Sequence, residues 1–320
     1  MSKSAAENLH SSVLLNESLT VLKPQENDLF VDATLGMGGH TEAILKSCET
    51  VRVIGIDQDK HALRPANERL LKYGERFVSF HSNFSDIKRV LAGLGIEKVD
   101  GIIADLGVSS LQFDDAARGF SFRFDAPLDM RMNTESDSET AAELLKKLSE
   151  EEIANLIYQY GEERFSRRIA RRIVEKRKAG EPVETTRELA ELIEKAIGRG
   201  RKDKIHPATK TFQALRIAVN KELDNLENFL GSAVDILKNE GRLAIITFHS
   251  LEDRIVKQTF QRFAGKCFCP PRLPQCICGA EKKIEILTRK PIVPDEFEIE
   301  KNPRSRSAKL RACLKISKVI

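Results

Sequence analysis

A glycine-rich loop and the acids around it stand where a nucleotide-type ligand would need them. The loop is Asp32-Ala-Thr-Leu-Gly36-Met-Gly38-Gly39-His40-Thr41, and it follows a short apolar run. Asp57 ends the next apolar run, 21 residues after Gly36. Glycines let a backbone turn sharply and approach a ligand closely at the carboxyl edge of a sheet. A carboxylate at that separation suits ribose hydroxyls, which would donate to it. Two cofactor types fit this arrangement. A dinucleotide site prefers Gly-x-Gly-x-x-Gly, but position 41 is Thr, and an opening Asp32 would repel a pyrophosphate. S-adenosylmethionine carries a sulfonium and an amino group and no phosphate, so Asp32 would stabilise it. The loop favours the methyl donor over a nicotinamide.

The elements that must position these residues are legible as alternating runs. Strands are predicted over Leu29–Asp32, Val51–Asp57, Phe77–Phe80 and Val99–Asp105. Helical stretches fall between them, over about 40–48, 61–73 and 86–94. Such alternation means a parallel sheet with crossover helices. From about 136 to 197 the pattern turns wholly helical. Thr140 with Glu143, Ser149 with Glu152, and Thr185 with Glu188 each place a hydroxyl three residues before a Glu, a capping-box pattern. Gly198-Arg-Gly-Arg-Lys202 reads as a loop. The α/β pattern then resumes with one long helix over about 208–237, a strand over Gly241–Phe248 and a helix near 251–263. Strands over Lys283–Thr288 and Leu310–Ile316 close the chain. The expected fold class is α/β, a doubly wound Rossmann-like sheet interrupted by a helical insertion. The expected division is a core over 1–115 and 207–320, with an inserted all-helical substrate-recognition domain over 116–206.

Bulk composition agrees with a globular rather than a disordered chain. The chain has 320 residues, 41% hydrophobic and 31% charged, with a net charge of +4 from 52 Lys+Arg against 48 Asp+Glu. No run of about 18 apolar residues predicts a membrane helix. Met1 to His10 lacks the apolar core of a signal peptide. Six cysteines over this length do not make a disulfide scaffold, so a reducing, cytoplasmic setting is expected.

Further blocks carry a more specific signal. They are His10-Ser-Ser-Val-Leu-Leu15 with Glu17, Asp105-Leu-Gly-Val-Ser-Ser-Leu-Gln112, Arg118-Gly-Phe-Ser-Phe122 and Leu128-Asp-Met-Arg-Met132. Tyr160-Gly-Glu-Glu-Arg164, the run from His206 to Arg216, Phe248-His-Ser-Leu-Glu-Asp-Arg254 and Asn302-Pro-Arg-Ser-Arg-Ser307 follow. In this order they resemble the bacterial 16S rRNA cytosine-N4-methyltransferase family, the MraW or RsmH family, from His10 to Arg311. The resemblance implies a class I S-adenosylmethionine-dependent methyltransferase core with an inserted helical domain. It implies methylation of the exocyclic N4 of a cytosine in the decoding region of small-subunit rRNA. The small ribosomal subunit would be the partner, with no DNA and no membrane. The implied donor-binding residues are Gly38, Gly39, His40, Asp57, Phe84, Asp105 and Gln112. Ser12 departs from the Pro or Thr of many members. The stretch near Cys267 is not shared by all of them, so nothing is carried onto it.

Residue chemistry adds roles beside that resemblance. Cytosine N4 is a poor nucleophile because its lone pair is delocalised into the ring. Methylating it needs the nitrogen in line with the methyl–sulfonium bond and acceptors for its N–H groups. Amino-methyltransferases acting on DNA place Asp or Asn before Pro-Pro-aromatic at this strand end. Here Leu106-Gly107-Val108 replaces the prolines, which argues against a DNA enzyme. Asp105 is a candidate to orient the amino group, or it binds the donor alone. Phe84 would pack on the adenine. Ser109, Ser110, Phe120 and Phe122 are candidates for the base pocket, with an aromatic ring stacking on the extruded cytosine. His249 is a further candidate for substrate contact, although a lone His is more often structural.

Two stretches concentrate charge or sulfur. From Glu163 to Lys178, Arg164, Arg167, Arg168, Arg171, Arg172, Lys176, Arg177 and Lys178 face only Glu163 and Glu175. Phe165, Ile169 and Ile173 mark the packed face, so Arg167, Arg168, Arg171 and Arg172 point elsewhere and are expected to meet phosphates. Lys301, Arg304, Arg306, Lys309 and Arg311 would extend that surface. Cys267-Phe-Cys269 and Cys276-Ile-Cys278 are spaced more tightly than structural zinc usually requires. No metal is therefore expected, and reduced thiols are.

Overall fold

The computed structural model describes residues 12–109, 112–113, 115–198, 206–270, 273, 277–278 and 280–317. They form two compact units. The first comprises Met1–Gly107 with Leu223–Ile320, and the second Val108–Glu222. The boundaries expected near 115 and 206 both lie inside the second unit.

The first unit is built on one seven-stranded sheet. Its strands are β1 (Leu29–Asp32), β2 (Arg52–Asp57), β3 (Phe77–His81), β4 (Val99–Asp105), β5 (Leu237–Thr247), β6 (Ile284–Ile286) and β7 (Lys309–Lys315). The order is β3-β2-β1-β4-β5-β7-β6. The first five strands run parallel, and β7 is antiparallel to both β5 and β6. Neighbouring residues in a strand point to opposite faces, and both faces here are apolar. Val31, Ile54, Ile102 and Ile245 pack with Phe229 and Leu230 of α10 (Glu222–Ile236) and Val256 and Phe260 of α11 (Ser250–Phe263). Phe30, Val53, Ile103 and Ala244 pack on the other side with Leu22 of α1 (Leu15–Leu22), Ile44 and Leu45 of α2 (Gly39–Ser47), and Leu63 and Ala66 of α3 (Lys60–Leu70). This is the doubly wound arrangement, and it carries a ligand crevice at the carboxyl ends of the strands. A fourth helix, α4 (Ile87–Gly93), joins β3 to β4.

The second unit is helical around its own core. Its helices are α5 (Ala141–Lys147), α6 (Glu150–Gly161), α7 (Ser166–Lys178), α8 (Thr186–Ile197) and α9 (Thr209–Asn220). All three predicted capping boxes form, at Thr140, Ser149 and Thr185. Leu145, Ile153, Ile157, Ile169, Ile173, Leu189, Ile193 and Phe212 fill the interior.

Three expectations change. The long helix over 208–237 is two helices, because Lys221 adopts a left-handed backbone with φ 50° and ends α9. Among the described residues, two α-helices escaped the reading, α1 and α12 (Glu296–Lys301). Phe120, expected in a base pocket, is 5% exposed and sits in the core of the second unit. Among the described residues no helix is long and apolar enough to cross a membrane.

Candidate functional site

The loop after β1 is held open by its own glycines and by the acids around it. Gly36 and Gly38 take left-handed backbones, with φ 52° and 76°. A Cβ on Gly38 would come within 2.8 Å of Leu70 Cδ1, and one on Gly39 would strike the Ser12 hydroxyl. The chain can therefore turn into α2 here only with glycine at these positions.

Three strand-end carboxylates surround this turn. Asp32, ending β1, is buried and accepts from the Thr41 hydroxyl at 2.7 Å and from the Thr34 N–H at 3.3 Å. Asp57, ending β2, accepts from the Gly36 N–H at 2.7 Å and from the Asp59 N–H at 2.8 Å. Asp105, ending β4, has its N–H bound to the Thr34 hydroxyl at 2.6 Å. Thr34 thus ties β1 to β4, a role the sequence reading did not assign. The signal for it was present, as a hydroxyl two residues beyond Asp32.

Electrostatics make the cluster unusual. Burial pushes the Asp57 pKa up to about 6 despite its two backbone donors, and the charges of Asp59 and Asp32 add to the rise. Burial also raises Asp32; His40 and Thr41 oppose this, and Asp105 adds to it. His40 is buried beside them, with Nε2 3.6 Å from Asp105 Oδ2. Desolvation alone would lower its pKa, but Asp105, Asp32 and Glu298 outweigh it and the net shift is upward. At 3.6 Å the contact is an ion pair rather than a hydrogen bond. His40 Nε2 and Asp105 Oδ1 are both buried without a hydrogen-bond partner. Such atoms are costly unless a ligand completes them.

A crowded set of acids with unfilled polar atoms is suited to a cation. S-adenosylmethionine fits on this ground: its sulfonium and ammonium charges would relieve the mutual repulsion, and Asp57 has lone pairs left for ribose hydroxyls. Phe84 opens a short turn three residues past the end of β3. It is half-buried and meets Phe229 edge-on, with centroids 5.2 Å apart. Asn83, beside it, donates to the Gln58 side chain at 2.8 Å.

Other candidates are placed differently. His249 caps α11: its Nδ1 accepts from the Glu252 N–H at 3.4 Å, and Glu252 accepts in return from the N–H of His249 at 3.3 Å. The cap uses one ring nitrogen only: Nε2 is buried without a hydrogen-bond partner, 3.1 Å from Glu252 Oε1. In the second unit the Ser109 N–H donates to Gln112 Oε1 at 3.0 Å, and the Gln112 N–H donates to Ser109 Oγ at 3.3 Å. Phe122 stacks on His206 at 4.4 Å and meets Phe212 edge-on at 5.0 Å. Ser110 and Cys276 lie outside the described residues.

Helix α7 presents the expected two faces. Ile169, Ala170, Ile173 and Val174 are buried, while Arg167, Arg168, Arg171 and Arg172 are exposed. Arg171 approaches Glu150 at 3.7 Å and Arg172 pairs with Glu175 at 3.0 Å. Arg177 is different, since it donates to the carbonyls of Leu145, Lys146 and Leu148 and closes the end of α5. The C-terminal cations are not one surface either. Arg311 is buried and pairs with Asp253 at 2.6 Å, and Lys309 reaches the same carboxylate at 3.5 Å.

A parallel sheet with an antiparallel seventh strand inserted beside β5, a glycine turn after β1 and an acid ending β2 define a class I S-adenosylmethionine-dependent methyltransferase. Within that class the chain belongs to the MraW methylase family, whose model matches residues 7–316. Curated relatives cover it almost end to end. A protein of Carboxydothermus hydrogenoformans is 49% identical over 309 residues, spanning 96% of this chain and 98% of its own. One of Clostridium botulinum strain Kyoto is 53% identical over 308 residues, spanning 96% and 99%. One of Geobacter sulfurreducens is 52% identical over 309 residues, spanning 96% and 99%. Each of the three is named ribosomal RNA small subunit methyltransferase H.

Proposed function

We propose that this chain methylates the exocyclic N4 of a cytosine in the decoding region of small-subunit ribosomal RNA. The relatives' name supports small-subunit rRNA as the substrate. The observation that carries the amino-group chemistry is the buried, unpartnered Oδ1 of Asp105 at the end of β4. An exocyclic amine has N–H groups to donate, and an oriented acceptor beside the donor site would hold its lone pair in line for transfer.

The chain's own residues divide the work. Bound S-adenosylmethionine supplies an electrophilic methyl group on sulfur. Asp57 accepts the ribose hydroxyls and Phe84 packs on the adenine. The glycine turn at Gly38 and Gly39 lets backbone approach the ligand, and His40 with Asp32 balances charge in the buried cluster. Asp105 accepts an amino N–H and orients the nitrogen, which then loses a proton to water. The second unit recognises the substrate, with the α7 arginines on its phosphates. Ser109, Ser110 and Phe122 are candidates for the base, near its sequence junction with the core, and Gln112 remains a candidate for the donor.

The test is transfer of a labelled methyl group to isolated small subunits, naked rRNA and DNA, followed by mass mapping of the labelled nucleoside. N4-methylcytidine from the decoding region is the expected product. Label in another nucleoside or another RNA would replace this reading with a different amino-methyltransferase. No transfer at all, with RNA still bound, would favour a binding protein.

A further inference from the structure

We propose that Cys267, Cys269 and Cys278 form a thiolate site for one zinc ion, which staples the loop between α11 and β6. Sequence spacing alone argued against a metal here. The folded geometry reverses that argument.

The ligand atoms converge. The sulfurs of Cys267, Cys269 and Cys278 all lie within 4.8 Å of one another. Cys267 Sγ and Cys278 Sγ are 3.7 Å apart. That is far too long for a disulfide, whose bond is about 2.05 Å. It matches a tetrahedral ion, since Zn–S bonds of about 2.3 Å set sulfurs about 3.8 Å apart. Soft thiolates in a tetrahedral arrangement select zinc over the harder divalent ions.

Backbone donors already face the sulfurs. The Cys269 N–H points at Cys267 Sγ and the Ile277 N–H at Cys269 Sγ, both at 3.4 Å. Such N–H donors stabilise the negative charge that a metal-bound thiolate keeps, and they fix its direction. Each thiol would pass its proton to solvent as its Zn–S bond forms. Water or a further donor would complete the tetrahedron.

The loop also needs a staple. It is closed at its base by a bridge between Ala264 and Lys282, with the Lys283 N–H bound to the Phe263 carbonyl at 2.6 Å. Beyond that bridge the apolar side chains turn outward: Phe268 is 44% exposed and Ile277 78%. A long connection whose described residues form no strand or helix between Ala264 and Lys282 has little to offset its ordering cost. A metal clip does so in small, core-poor segments.

The experiment uses the full chain purified under reductant with zinc present. Metal analysis should find one zinc ion per chain. Replacement by cobalt(II) should give sulfur-to-cobalt charge transfer and the d–d bands of a tetrahedral centre, a readout that needs no variant. The triple substitution Cys267→Ser, Cys269→Ser, Cys278→Ser should weaken zinc binding at least about tenfold, while Cys48→Ser should leave it unchanged. Chelation should open the 264–282 loop to protease. Wild-type protein without zinc and without a cobalt–sulfur band would overturn the proposal, as would a triple variant that keeps its zinc.

Discussion

His40 Nε2 and Asp105 Oδ2 face each other across 3.6 Å, although one side chain enters from the start of α2 and the other from the end of β4. The pair joins the donor loop to the strand proposed to hold the amino group. Its protonation must therefore matter to both.

The first prediction concerns this pair and stability. The folded-state pKa of His40 lies above its ordinary value of 6.5. A raised histidine stabilises the fold fully below its unfolded pKa, and that contribution is lost as pH rises through the folded value. His40→Gln should therefore destabilise more at pH 6 than at pH 9. Thermal melts of both proteins across that range check this. A gap that widens with rising pH would mean that the imidazole is held neutral.

Asp57 gives a second prediction, of the opposite kind. Its pKa is raised from 3.8 to about 6, so the fold favours its protonated form, loses stability as pH rises from 3.8 to about 6, and carries the full penalty above that. At pH 7.5 the shift corresponds to about 3 kcal/mol. Asn removes that penalty but sets an NH2 donor against one of the backbone N–H groups of Gly36 and Asp59, and leaving that N–H unsatisfied costs about 1–3 kcal/mol. Asp57→Asn should therefore match wild type or exceed it by up to about 2 kcal/mol at pH 7.5, and its stability relative to wild type should fall between pH 6 and pH 4. The same variant should bind S-adenosylmethionine at least about tenfold more weakly, because a charged acceptor for ribose is gone. Denaturant melts and calorimetry read the two effects separately. Unchanged affinity would remove Asp57 from the donor site.

Asp105 separates binding from chemistry. Asp105→Asn keeps the size and one acceptor oxygen and removes the charge. If Asp105 orients the amino nitrogen, turnover should fall about a hundredfold or more while donor affinity falls far less, a contribution typical of one positioned catalytic hydrogen bond. Single-turnover rates beside donor titrations decide it. Equal losses would leave Asp105 a donor ligand only.

His249 should behave as a cap. His249→Ala removes the acceptor for the Glu252 N–H and disturbs a carboxylate that is 2% exposed. A stability loss of about 1–2 kcal/mol is expected, with donor affinity kept and the KM for RNA unchanged. A selective rise in that KM would return His249 to the substrate site.

Much of this was legible in the sequence. Buried parallel strands read as apolar runs, which located β1, β2 and β4 to within a residue. Capping boxes are local and chemical, so Thr140, Ser149 and Thr185 could be read directly. Helix α1 escaped because it starts from a left-handed Leu14 with no side-chain cap, and the break at Lys221 has neither Gly nor Pro to announce it. Residue type and position placed Asp32, Asp57 and Asp105 at strand ends, where the fold has them. Partners remote in sequence could not be read. The Asp253 carboxylate that occupies Arg311 is 58 residues away, and the rings that enclose Phe122 come from His206 and Phe212.

The last prediction concerns the exposed arginines of α7. Arg167, Arg168, Arg171 and Arg172 stand out from a helix whose other face is sealed by Ile169 and Ile173. The ion pairs of Arg171 and Arg172 are solvent-exposed, and pairs of that kind are each worth about 0–1 kcal/mol. Folding does not require four cations there, whereas a polyanion would use them. Replacing all four with Gln keeps helix propensity and removes only charge. Arg177 is left intact, because its hydrogen bonds close α5. The variant should fold normally by circular dichroism and bind S-adenosylmethionine as wild type does. Its affinity for small subunits or rRNA should fall, and the salt dependence should flatten by about 0.7 units of log–log slope per lost contact on single-stranded RNA. Phosphate contacts carry no base identity, so the loss should be similar for matched and mismatched RNA. Binding isotherms at several salt concentrations measure the slope directly. An unchanged slope with normal methylation would make these arginines a solvated face. The phosphate-binding surface would then have to involve other cations, among them Arg304 and Arg306, since Arg311 is already held by Asp253.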